Sequence, residues 1–152
     1  MYDSLCLKQH WCKIRFHFKK EEYLNIIASK SHRSIFSQLR LSCHKLNIER
    51  GRYLPPKQIL PPDQRICNKC QLNLCEDELH FILTCTFYQE ERESFMQKLK
   101  QLFERINFDM LSVNDLFIWL MANVHEEFLH IFTKYLNVIY AKRNITNPVS
   151  TD

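Results

Sequence analysis

The sequence predicts a mainly α-helical domain built around one Cys/His loop, with room for a single short β-hairpin at that loop. Three observations predict it. Apolar residues recur at three- and four-residue steps through most of the chain, the period of one helix face. A single glycine, Gly51, occurs in 152 residues, which argues against an all-β fold of tight turns and against glycine-rich phosphate loops. Residues 67–85 carry four metal-type donors in the order C-x2-C-x9-H-x4-C.

The length suits one domain and allows about 68–70% of the unfolded surface to be buried. We read that domain as a basic helical front with a Pro-rich linker (5–62), a Cys/His segment (63–88) and a helical back (89–145). Charge follows the same division. The overall +4 resolves into +8 for residues 1–62, −3 for 63–110 and −1 for 111–152. A basic front suggests a polyanionic partner.

Residues 5–28 read as the first helix, with Leu7, Trp11, Ile14 and Phe18 on one face and Lys8, Lys13, Arg15, Lys19 and Lys20 over the rest. Serines 29, 31 and 34 surround the start of a second helix, about 31–42, that buries Ile35, Phe36 and Leu39. Residues 43–66 are linker-like. Gly51 offers a positive-φ position there, and Pro55-Pro56 and Pro61-Pro62 exclude helix and keep the chain extended. Arg65-Ile66 and Leu72-Asn73-Leu74 form the two arms of the expected hairpin, and Asp77 is an N-cap for a helix carrying His80.

The back is helical. Phe95, Met96, Leu99, Leu102, Phe103 and Ile106 form the stripe of a helix of about 88–106. Ser112 and Asp115 make a capping-box-like pair before Leu116-Phe117-Ile118-Trp119-Leu120. A last helix of about 125–143 turns Phe128, Phe132, Tyr135, Leu136 and Ile139 inward. These stripes read as core rather than as a cofactor box.

Cys67, Cys70, His80 and Cys85 are the expected zinc ligands. Two thiols separated by two residues point inward from one turn, and a later His/Cys pair completes a tetrahedral set. His80 and Cys85 lie five apart, about 140° around an ideal helix, so a helix carrying both must start at His80 or loosen near Cys85. Cys75 sits between the pairs without a second turn of its own and reads as a spare thiol. The polar character of 63–78 makes the metal a local necessity, because metal binding in such segments is also folding energy.

Seven cysteines, an odd number, fit metal and free thiols better than a disulfide framework, which suggests a reducing compartment. No secretory signal and no membrane-length apolar run are evident, so an intracellular protein, nuclear or cytoplasmic, is expected. Enzymatic motifs fail. His125 and His130 are five apart where a zinc-protease helix needs four. The H-x-E ahead of P-C-x-x-C that a zinc deaminase requires is missing from the sequence. Four protein donors also imply a closed structural site. The reading is therefore non-enzymatic.

Arg65-Ile66-Cys67-Asn68-Lys69-Cys70, then Glu76 through Cys85 and Tyr88, closely resembles the zinc-binding segment near the carboxy end of LINE-type (non-LTR) retrotransposon reverse transcriptases. Upstream, Phe36 to Leu41, Leu46 and Glu49-Arg50-Gly51-Arg52 resemble the basic helix and turn that precede that segment. Trp119-Leu120-Met121 and a helix closing on Arg143 resemble the family's last stretch. The polymerase palm motif is absent from the sequence, and so is the endonuclease domain. The resemblance implies an accessory region without catalytic domains, one that helps hold RNA or DNA.

Two functions are expected to compete. One is nucleic-acid binding, with Arg33, Arg40, Arg50, Arg52 and Lys69 facing phosphates and Trp11, Phe16, Phe18 and Tyr23 stacking on unpaired bases. The other is a structural or protein-interaction module docking on a reverse transcriptase/endonuclease polypeptide. A non-functional element remnant is a variant of the second.

Overall fold

The computed structural model describes residues 21–145, and within them the chain is mainly helical. Helix α1 spans Tyr23–Ile26, α2 Lys30–Arg40, α3 Asn47–Arg50, α4 Gln89–Leu102, α5 Val113–Ala122 and α6 Glu126–Asn144. Of the expected first helix residues 21–28 fall inside this range, and only α1 is α-helical there, the chain turning extended at Ile27. Its residues 5–20 lie outside the described residues, as do Trp11, Phe16 and Phe18.

Helix α6 is the axis against which α1, α2 and α4 pack. Its inward residues, Phe128, Leu129, Phe132, Tyr135, Leu136 and Ile139, step by three and four along one face and are buried. Each such side chain contributes about 1.5–3 kcal/mol by leaving water. Aromatic rings join the layers. Phe132 meets Phe36 of α2 edge-on at 5.9 Å, and Tyr135 stacks on Phe95 of α4 at 4.6 Å. The expected stripes are core, as their spacing indicated.

The helix ends follow local chemistry. Ser29 caps α2 by accepting from the His32 amide. Ser112 caps α5 by accepting from the Asp115 amide at 3.1 Å. The Asp115 carboxylate takes the Ser112 hydroxyl at 2.6 Å rather than reaching a backbone amide, a variant of the capping box. Helix α4 stops at Leu102, four residues short of the expected end. There Phe103 leaves the helical region (φ −124°, ψ 59°). Its ring then packs edge-on against Trp119 at 5.1 Å and also meets Phe108 and Phe128.

The middle of the chain departs from expectation in three places. Pro55-Pro56 and Pro61-Pro62 do not keep it extended. Single 3₁₀ turns begin on Pro56 and on Pro62, the first helical position, where proline's missing N–H and fixed φ cost nothing. Gly51 does not use a positive φ: it sits at −62°, and the left-handed positions are Ser42 and Asn73. The glycine is needed for space, because a Cβ there would lie 2.6 Å from Arg65 Cδ. The expected hairpin is reduced to an isolated antiparallel bridge between Ile66 and Cys75. It is held by Cys67 N–H donating to the Leu74 carbonyl and Glu76 N–H to the Arg65 carbonyl.

No helix among the described residues is long and apolar enough to cross a membrane.

Candidate metal centre

The Cys67–Cys70 arm is a tight turn closed through sulfur. The Lys69 amide donates to Cys67 Sγ at 3.4 Å, which turns the thiol inward. The bridge at Ile66 and Cys75 then returns the chain to Asp77. The Asp77 carboxylate accepts from the His80 amide at 2.7 Å, capping a helical stretch as expected.

That stretch does not continue as an α-helix. His80–Thr84 widens into a π turn, closed by the Cys85 amide donating to the His80 carbonyl at 2.7 Å. Bonding to the fifth residue rather than the fourth rotates less per residue. It therefore brings together two donors that an ideal helix would hold about 140° apart. The loosening required by the five-residue spacing is this turn. Thr84 locks it, with its hydroxyl 3.0 Å from His80 Nδ1. Nε2 is left to face the thiols.

The four donor atoms of Cys67, Cys70, His80 and Cys85 all lie within 4.8 Å of one another. Cys67 Sγ and Cys85 Sγ are 3.9 Å apart, and Cys70 Sγ lies 3.4 Å from His80 Nε2. An ion about 2.3 Å from each sulfur and 2.0–2.1 Å from nitrogen would set tetrahedral edges of about 3.8 and 3.6 Å. The set fits. Cys67, His80 and Cys85 are buried, none of the four is in a disulfide, and this Cys₃His group could hold a metal ion.

The two buried thiols are shifted in opposite directions. The hydrogen bond with Cys85 holds the Cys67 thiol well below the usual range, with the Lys69 and Cys70 amides adding to the effect against burial. The same contact, with burial beside it, pushes the Cys85 thiol up. Cys75 behaves differently. It stands outside the cluster, and burial, followed by the Asp77 carboxylate, pushes its thiol up to about 12.

Around the donors lies a frame that the sequence reading missed. Glu76 is fully buried and pairs with Arg143 at the end of α6 through two hydrogen bonds of 2.7 and 2.8 Å. Its Oε2 also accepts from the Asn47 amide at 2.8 Å, and its carbonyl accepts from the Ile48 amide. One carboxylate therefore caps α3 and anchors α6. Arg65 donates to the Ile48 carbonyl at 2.6 Å and to the Leu60 carbonyl at 2.8 Å. His44 and Ser42 bond the Glu78 carboxylate; burial alone would raise the Glu78 carboxyl, yet these bonds bring it below its usual value. Phe81 and Ile82 enter the core from the π turn, where Tyr135 donates to the Ile82 carbonyl at 2.6 Å. Only Thr84, one α-helical turn after His80, was readable as a neighbour from spacing.

The five candidate phosphate contacts separate. Arg40 is buried: it donates to the Met121 carbonyl and to Glu21, and its guanidinium lies over the Tyr23 and Phe36 rings. Its charge is spent inside the fold. Arg33 is half-buried and donates to the carbonyls of Leu24 and Ile27. Arg50 and Arg52 are exposed, Arg52 against Glu49 at 3.0 Å, and Lys69 is half-buried with its ammonium 5.8 Å from the Phe87 ring. Tyr23 is a core residue at 4% exposure, not a surface ring for stacking.

No protein-family model, curated protein or solved structure matches the chain.

Proposed function

We propose that the chain is a zinc-stapled, mainly helical module that binds nucleic acid without catalysing a reaction. In this reading it is the counterpart of the carboxy-terminal accessory region of LINE-type reverse transcriptases that its Cys/His segment resembles. The observation that carries the reading is the Cys₃His group, whose edges of 3.9 and 3.4 Å suit a tetrahedral ion. Three thiols and an imidazole favour zinc over the harder, oxygen-seeking divalent ions. All four positions are filled by side chains, so no place is left for an activated water and the ion is structural.

The basic front supplies the partner. Arg50 and Arg52 stand on the surface beside the loop, with Lys45 and Lys57 exposed in the same passage. Phosphate contacts of this kind give affinity with little base discrimination. Purified chain should contain one zinc per polypeptide by elemental analysis. Its affinity for RNA or single-stranded DNA should fall steeply with rising salt. A flat salt response, or no binding at low salt, removes the nucleic-acid reading and leaves the metal site standing.

A second reading has its own observation. Ile59, Leu60, Ile66, Leu72 and Leu74 are exposed around the metal segment, and such residues suit a protein partner, including a polymerase polypeptide. Sedimentation across a concentration series separates the two readings. A persistent monomer disfavours docking through this face.

A further inference from the structure

The turn that follows α3 presents an aromatic ring to solvent in a way that nothing else in the described structure does. Tyr53 is 82% exposed, the highest value among the large apolar and aromatic side chains described. It follows Arg50, Gly51 and Arg52 in two consecutive tight turns, closed by the Arg52 amide on the Glu49 carbonyl at 3.0 Å and the Tyr53 amide on the Arg50 carbonyl at 3.1 Å.

The turn is held from below. Gly51 lies directly on the Arg65 side chain, which reaches the Ile48 and Leu60 carbonyls. Asn47 Nδ2 donates to the Ile66 carbonyl at 2.8 Å, and Glu76 takes the first amides of α3. The metal segment thus fixes the backbone that carries two guanidiniums and a ring. Glu49 opposes this charge only partly. It is buried, and both of its oxygens meet a single nitrogen of Arg52, Nη1.

We propose that the Arg50–Tyr53 turn is a contact surface for single-stranded nucleic acid, with the Tyr53 ring stacking on an unpaired base and Arg50 and Arg52 taking the flanking phosphates. The inference rests on the nucleic-acid reading above and names the surface and the strandedness. A projecting ring needs an unstacked base to pair with, which single strands offer and a closed duplex does not. A rigid platform loses little entropy on binding.

The test uses the full zinc-loaded chain with short labelled oligouridylate, oligothymidylate and a hairpin duplex, followed by fluorescence anisotropy. Tyr53→Ala should weaken binding to either single strand about 5- to 150-fold, while Tyr53→Phe stays near the parent. Neither should change the dependence of affinity on salt, whereas Arg50→Ala should reduce that slope by about 0.7. The two single strands distinguish RNA from DNA as the better ligand. Zinc content and circular dichroism verify folding, and the exposed Arg50 provides an independent variant. If the parent binds with a steep salt response but Tyr53→Ala binds equally well, or if the duplex binds as tightly as the strands, the turn is not the contact and the general reading survives. If the parent binds no oligonucleotide at low salt, both fall together.

Discussion

The metal segment and the helical layer are held by different forces. Between Asn68 and Leu74 every residue is exposed or half-exposed, and order there comes from four donors, one bridge and a capped turn. In α2, α4 and α6 the same length of chain buries Phe36, Phe95 and Phe132 in ring-to-ring contact. A short polar segment cannot bury enough apolar surface to offset its conformational entropy. An ion held by the four donors would be a cross-link whose strength does not depend on area. The helical layer needs none, and the two regions should fail separately under different insults.

The largest separation should come from removing a ligand. Cys70→Ser is expected to abolish stoichiometric zinc and with it apparent binding energy on the order of 10–16 kcal/mol. Hydrogen exchange should then show residues 63–88 unprotected while α4 and α6 keep their protection. Equal loss everywhere would mean that the two regions form one cooperative unit.

The reverse insult is Phe132→Ala. This ring contacts Phe36, Phe95, Phe128 and Tyr135, and truncation should cost about 3–5 kcal/mol. Denaturant melts of the helical signal report it, with zinc still bound below the transition.

Between these stands Glu76→Gln, which keeps the shape but leaves Arg143 without its buried counter-charge. A loss of about 3–5 kcal/mol is typical of breaking such a pair from one side. Because Glu76 touches α3, α6 and the metal segment, both the helical melt and zinc retention against a chelator should worsen. An effect on only one would show that the pair does not couple the regions. The smallest change is Ser112→Ala, a lost N-cap costing about 1 kcal/mol. It should lower the helical melt and leave zinc retention untouched.

The sequence made the donors legible because ligand spacing is a covalent constraint, and it made the stripes of α4 and α6 legible because burial imposes a period. Asp77 and Ser112 were readable as caps from local chemistry alone. What could not be read came from distant pairing. Nothing near Glu76 announces Arg143, and nothing near Arg40 says that its charge meets Glu21 and the Met121 carbonyl rather than a phosphate. The end of α4 was misjudged because Phe103 satisfies the helical pattern equally well, while its ring gains more from Trp119 outside it. The prolines were read for the bonds they forbid, although their fixed φ also favours starting a short turn.

The fit of Gly51 over Arg65 makes one position unusually intolerant. Even alanine would drive its methyl into a stem whose guanidinium is pinned on the Ile48 and Leu60 carbonyls. That stem could not swing aside without releasing one of them. A single added carbon would therefore be felt on two stretches of backbone at once, and the smallest residue in the chain sets the distance between them.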